Sequence, residues 1–504
     1  MNAIEQVRND NKSIYNRFRS IQHDANFVRY VAERIKALPV VANERAGTWY
    51  TDPKLRNHET SAYFKSTDGH HGQWDFNLRR LNRPLLELIT ASTGCILVDI
   101  TRKGKRFPDS LAKTVPLWCA VINRATQLYR LSVDTDGNQT NSSNLVWDTK
   151  LHCPSNVSQS EHAQMSELID IFAEKLLTSC ADLTLIYKQL LKPLRPLWIT
   201  PVTRMFLGCH QGEQLWNEIK TDLDFYPVIC VSASMDPLHM KTSDVPIFPL
   251  KTDFVYIQGA ADDSEMWAPG LTSSLFWEYI NSHELLQSTP QQCHHDIHQL
   301  ISQSQSDQIQ SSMHYSLKKG SAFDWIGDTG IAIGSFHAAD PSSCWNEFDV
   351  IINCGAREFP ENTIYKNAEQ GKLYVYLDIP EGKKGQNKLF DCIPAAIQCV
   401  QGKFMSQGRR ILVHCMQGFL TVLLLLGRDR SVGICLALLV EYMDANWIMS
   451  PTGKSCRGQL DKDTIRNRLL YIQRFRMVAS PSRATLKKIN LYFLETNDHS
   501  NRDT

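Results

Sequence analysis

Near its C-terminal end the chain passes from strand to helix through one polar turn, and this passage constrains the fold more than any other feature. Arg409–Ser431 reads RRILVHC, MQG, FLTVLLLLG and RDRS, and VGICLALL follows. Without the nine residues Phe419–Gly427 it becomes ILVHCMQGRDRSVGICLALL. A cysteine, five residues, an arginine and a serine then stand between an apolar strand and an apolar helix. Backbone N–H groups at a helix start and one guanidinium make such a turn a cradle for an anion. As written, 14 residues separate Cys415 from Arg430. The inserted stretch is almost wholly apolar and brings no chemistry; it reads as a short retained piece of gene sequence, with a bulge in the loop as the alternative.

The layout resembles the cysteine-phosphatase fold. In that fold Cys415 would be the nucleophile, and Gly427, Asp429, Arg430 and Ser431 would complete the phosphate loop. Asp378, in YLDIPEG, ends the preceding strand, where that fold carries a general acid. Short apolar runs at IAIGSF, Phe348–Cys354, Lys372–Ile379 and Arg410–Cys415 read as buried strands. Helical spacing recurs over Leu389–Met405, with Pro394 placed near its start, after Ser431, and over Asp463–Arg476 and Ser482–Leu494. Strands alternating with helices predict an α/β domain over 322–504.

The remaining residues predict an α+β N-terminal domain over 1–300, with helices near Ile14–Leu38 and Ser166–Leu191, and a linker over 301–321. The polar stretch Asp134–His162 is expected to be a surface loop. A net charge of +1 excludes binding to nucleic acid by bulk charge alone and leaves local basic patches. No run of about 18 apolar residues marks a membrane span. Fourteen cysteines without a spaced framework suit reduced thiols in a cytoplasmic protein.

Three N-terminal segments carry the polar chemistry. The strand Cys95–Ile100, which includes Asp99, leads into Thr101, Arg102, Lys103, Gly104, Lys105 and Arg106, with Asp109 and Lys113 following. Four cations and a glycine at a strand end suit a multiply charged phosphate, although a solvated basic turn has the same composition. Tyr63–Asn82 gathers Lys65, Ser66, Thr67, Asp68, His70, His71, Trp74, Arg79 and Arg80. Its histidines are candidates for a general base or for phosphate partners. Its aromatic residues beside arginines are candidates for stacking on a base or ribose, or simply for core and caps. In Gln258–Trp277, Asp262 and Asp263 are candidate metal ligands. Cys293, His294, His295 and His298 lack a second ligand pair and are not expected to hold zinc. GDTGIAIGS (Gly327–Ser335) lacks the Walker lysine and reads as a turn entering a strand.

Together these segments resemble one family, the initiator tRNA 2′-O-ribosyl phosphate transferases of fungi and plants. The resemblance rests on Leu38–Tyr50, Tyr63–Asn82, Cys95–Ala125, Lys192–Pro201, Phe254–Leu271 and the split loop, and so spans nearly the whole chain. It implies a family-specific N-terminal domain joined to a dual-specificity-phosphatase-like C-terminal domain. It also implies transfer of 5-phosphoribosyl from phosphoribosyl pyrophosphate to the 2′-hydroxyl of the T-stem purine, position 64, of initiator methionine tRNA. The modification bars that tRNA from elongation. On this reading Lys103, Lys105, Arg102 and Lys113 carry the diphosphate charge, with Mg²⁺ accompanying the donor. Asp68 or His70 orients or deprotonates the hydroxyl. Arg79 and Arg80 hold donor phosphate or tRNA backbone, and Lys65, Ser66, Thr67, Asp99, Thr101, Gly104 and Asp109 complete the substrate site. The cradle at Cys415 and Arg430 binds a further phosphate. No protein partner and no membrane are implied. The competing readings are a cysteine-dependent phosphatase with an N-terminal extension and an inactive tRNA-binding relative.

Overall fold

The computed structural model describes residues 10–57, 60–101, 104–134, 147–179, 181, 183–201, 223–235, 254–282, 289–310, 323–355, 358, 372–380, 382–401, 409–415, 427–450, 455–456, 460–476 and 478–495 of the 504. The chain divides into two compact units, Met1–Thr178 with Leu183–Gln310, and Ser311–Thr504 with Ser179–Asp182.

In the N-terminal unit, four strands form one sheet: β1 (Val40–Ala42), β2 (Cys95–Asp99), β3 (Leu194–Ile199) and β4 (Tyr226–Ser232). Their order is β1-β2-β4-β3 and every pairing is parallel, with Leu97 opposite both Val41 and Cys230. Parallel neighbours need long crossovers, and those crossovers cover both faces of the sheet. This is why β2 reads CILVD, almost without polar alternation, and is buried along its whole length.

One face packs on the helix Ile14–Arg34, which Ser13 caps by accepting the N–H of Asn16. Phe18, on that helix, meets Phe276 and Tyr279 edge-on at 5.0 and 5.7 Å, and Ile297 and Ile301 close the same core. Each such side chain contributes roughly 2–3 kcal/mol of burial. The expected helix Ser166–Leu191 is two helices, Gln159–Leu177 and Thr184–Gln189. The first starts earlier because Ser158 accepts the N–H of Glu161 and fixes the N-cap there. The helix Pro290–Gln310 extends into the stretch expected as a linker. Residues 135–146 of the expected surface loop lie outside the described residues.

The C-terminal unit holds β5 (Phe323–Trp325), β6 (Ile331–Gly334), β7 (Val350–Asn353), β8 (Leu373–Tyr376) and β9 (Ile411–His414), in the order β5-β6-β9-β7-β8. Only the β5–β6 pair is antiparallel. Each of the four expected strands is present, and β5 was not anticipated because FDW is too short to show a pattern. The GDTG turn joins β5 to β6, with Gly327 and Gly330 at positive φ. The helix Gly382–Val400 starts before the expected Leu389, so Pro394 lies inside it rather than near its start. Among the described residues no helix is long and apolar enough to cross a membrane.

Candidate active site

At the carboxyl ends of β1 and β2 the N-terminal segments converge on Asp99. This carboxylate is fully buried and accepts Arg45 Nε and Asn43 Nδ2 at 3.1 and 2.8 Å, Ser110 Oγ at 2.6 Å, and its neighbour's N–H, Ile100, at 2.9 Å. A second Arg45 nitrogen lies 3.0 Å from Asp99 Oδ1. Burial works against the Arg45 charge, but Asp99 outweighs it and holds the guanidinium pKa up. With both oxygens filled by protein donors, Asp99 organises the strand end rather than facing a ligand.

The basic turn is pinned from two sides. Gln258 accepts the N–H of Gly104 at 2.9 Å and donates to the carbonyl of Lys105 at 3.0 Å. Ser232, the last residue of β4, donates to the Arg106 carbonyl at 3.1 Å. Gly104 has φ +80°, a conformation that favours glycine. Thr101 is buried. Arg102 and Lys103 lie outside the described residues.

Three side chains meet on Asp109. Lys105 Nζ lies 3.0 Å and His70 Nε2 3.8 Å from its Oδ2, and Lys113 Nζ lies 3.5 Å from its Oδ1. The segment that carries His70 docks here through Gly69. A Cβ on Gly69 would stand 2.8 Å from the Asp109 carbonyl and 2.8 Å from Thr114 Oγ1, so only glycine fits. Thr114 also donates to the Lys65 carbonyl at 3.2 Å. Ser66 and Thr67 form the short turn that precedes Gly69.

Asp68, the other candidate base, is buried in a bidentate pair with Arg80 at 2.7–3.1 Å. Its lone pairs are therefore engaged, whereas His70 is half exposed. The Asp68–Arg80 pair walls a small recess shared with Tyr63, Phe76, Thr114 and Trp118. The backbone N–H of Arg79 caps on Asn77 at 3.1 Å.

The carboxylates of Asp262 and Asp263 stand in different settings. Asp262 Oδ1 lies 3.8 Å from an Arg45 nitrogen, and a guanidinium there opposes a second cation. Asp263 sits at φ +52° as the N-cap of the short helix Ser264–Trp267. Among the described residues no three His, Cys, Asp or Glu side chains converge as metal ligands. His294 and His298 approach each other at 3.3 Å.

In the C-terminal unit the two shoulders of the split loop come together. Cys415, directly after β9, has its Sγ 3.2 Å from Ser431 Oγ in the first turn of the helix Arg430–Tyr442. Arg430 donates to the Ile379 carbonyl at 2.6 Å. Gly427 has φ +57°, and a Cβ there would stand 2.2 Å from the Gly334 carbonyl. Asp429 accepts Ser482 N and Thr485 Oγ1 at 2.8 and 2.6 Å and so ties down the helix Arg483–Asn490. Its carboxylate is engaged there. Burial pushes the His414 imidazole down to about 3, which keeps it neutral. Asp378 is exposed and accepts Tyr376 OH at 3.2 Å. Residues 416–426, which include the insertion up to Leu426, lie outside the described residues.

The sequence model of the Rit1 N-terminal domain matches residues 7–302, more than half of the chain, and that of the Rit1 DUSP-like domain matches 373–493. The chain belongs to the Rit1 family. A Schizosaccharomyces pombe protein, C3F10.06c, is 31% identical over 99% of this chain and 98% of its own length. The Saccharomyces cerevisiae tRNA A64-2′-O-ribosylphosphate transferase is 29% identical over 97% of this chain and 93% of its own. Among solved structures, a mouse putative dual specificity phosphatase matches at 16% identity and TM-score 0.25, covering 37% of this chain and 96% of its own. The Yvh1 phosphatase domain of Chaetomium thermophilum matches at 16% and 0.26, covering 36% and 100%. The Rit1 DUSP-like description agrees with the α/β fold expected for the C-terminal domain. The Rit1 N-terminal match spans all of the β2-end cluster. Sequence reading missed Arg45, Gln258, Gly69 and Glu161 in that cluster, since each is defined by a partner far away in the chain.

Proposed function

We propose that this Rit1-family chain transfers 5-phosphoribosyl from phosphoribosyl pyrophosphate to the 2′-hydroxyl of purine 64 in initiator methionine tRNA. The observation that carries the reading is the meeting of Lys105, Lys113 and His70 on Asp109 at the end of β2. As the C1–oxygen bond breaks, its electron pair passes to the diphosphate and positive charge builds on the ribosyl centre. Fixed ammonium groups at the strand end stabilise the departing charge. The 2′-oxygen forms the new bond to C1, and its proton passes to His70, whose other face is backed by Asp109. Asp99, Gln258 and Ser232 hold the turn in place. The described cysteines are all free thiols, which suits the cytoplasm.

Incubating the full chain with donor radiolabelled in its 5-phosphate and initiator tRNA tests this directly. Label is expected on initiator tRNA and is expected to be lost when nucleotide 64 is 2′-deoxy. Hydrolysis of p-nitrophenyl phosphate is expected to be negligible and the same in Cys415→Ser. Cysteine-dependent hydrolysis without tRNA labelling would make the chain a phosphatase. Retention of tRNA without label would make it a binding protein.

A further inference from the structure

Beside Asp109 stands a second carboxylate that the reaction scheme does not use. Glu161 lies in the first turn of the helix Gln159–Leu177, with its side chain about nine-tenths buried. Its Oε1 is 2.6 Å from Lys113 Nζ and 3.7 Å from His71 Nδ1, and it accepts Trp74 Nε1 at 3.3 Å. Lys113 is thus suspended between Glu161 and Asp109, and each carboxylate also faces one of two consecutive histidines. Trp74 stands edge-on to His71 with ring centres 5.3 Å apart, so it braces the imidazole and bonds the carboxylate at once. His71 itself is largely exposed.

A buried carboxylate needs partners, and Glu161 draws them from two chain segments that bear the proposed donor site. A lysine side chain is long and rotatable, and held by Asp109 alone it would sweep a wide arc. The short contact to Glu161 fixes where its ammonium stands.

We propose that Glu161 is a positioning residue of the donor site, holding Lys113 and His71 where they meet the diphosphate. This rests on the transferase reading above. Glu161→Gln is the informative variant, because the Ser158 cap uses the Glu161 backbone N–H and Trp74 can still donate to the amide oxygen.

Steady-state transfer is measured for the unmodified chain, Glu161→Gln, Lys113→Met and the double variant, together with their melting temperatures. In Glu161→Gln the KM for phosphoribosyl pyrophosphate is expected to rise about ten-fold, with the KM for tRNA unchanged. Glu161→Asp is expected to recover part of that loss. Because the glutamate acts through the lysine, the double variant is expected to match Lys113→Met within about two-fold rather than multiply the two losses. Multiplied losses, or a lowered melting temperature with donor KM unchanged, would overturn the proposal. Absence of transfer by the unmodified chain would instead sink the transferase reading, and this proposal with it.

Discussion

Asp99→Ala is expected to lower the stability of the chain by about 3–5 kcal/mol and to abolish transfer, because it strands a mostly buried guanidinium without its counter-charge. Arg45 has one fifth of its side chain exposed and faces Asp99 through two nitrogens. Ser110 and Asn43 would lose their acceptor in the same substitution. Those residues sit on two segments that frame the strand ends, so the loss loosens the frame and the turn together. Asp99→Asn keeps the volume and one acceptor, and its expected cost is about half as large. Urea unfolding followed by circular dichroism checks the order: unmodified chain, Asn variant, Ala variant. Equal midpoints for all three would show that Asp99 does not organise this end of the sheet.

The second large effect is expected from one methyl group. Gly69→Ala places a carbon 2.8 Å from the Asp109 carbonyl and 3.1 Å from Lys113 Cβ. A backbone carbonyl cannot swing aside as a side-chain tip can, so the His70 segment and the Asp109–Lys113 turn must separate. Overpacking of this kind costs about 1–3 kcal/mol in stability. The effect on transfer should be larger, about a hundred-fold, since a displacement near 1 Å spoils the alignment of reacting groups. Rate and melting temperature measured on one preparation separate the two consequences. A variant with a normal rate would mean that the two segments do not act together.

What was legible in the sequence follows from how local each signal is. The strands ending at Asp99 and His414 announce themselves because parallel strands buried on both faces are continuous apolar runs. The Cys415–Ser431 contact follows from a strand, a turn and a helix adjacent in the chain, even with an insertion between them. Asp99 was read as substrate-binding because a carboxylate at a strand end looks the same whether it faces a ligand or the protein. Its fate depends on Arg45, Asn43 and Ser110, between 11 and 56 residues away. Asp262 was read as a candidate metal ligand on an equally local signal, which could not show that Arg45 stands beside it. Glu161 carried only the signature of a capping glutamate, three residues after Ser158. Its partner Trp74 is 87 residues distant, and nothing local could have joined them.

The proposed transfer requires the ammonium groups at the end of β2 to grip the diphosphate of the donor. Calorimetric titration of phosphoribosyl pyrophosphate into the full chain, compared with Lys105→Ala/Lys113→Met, measures that grip without requiring turnover. The account predicts donor affinity at least about a hundred-fold weaker in the double variant, as expected for loss of two charge-assisted contacts, with initiator tRNA binding retained. Equal donor affinity in the two proteins would contradict it.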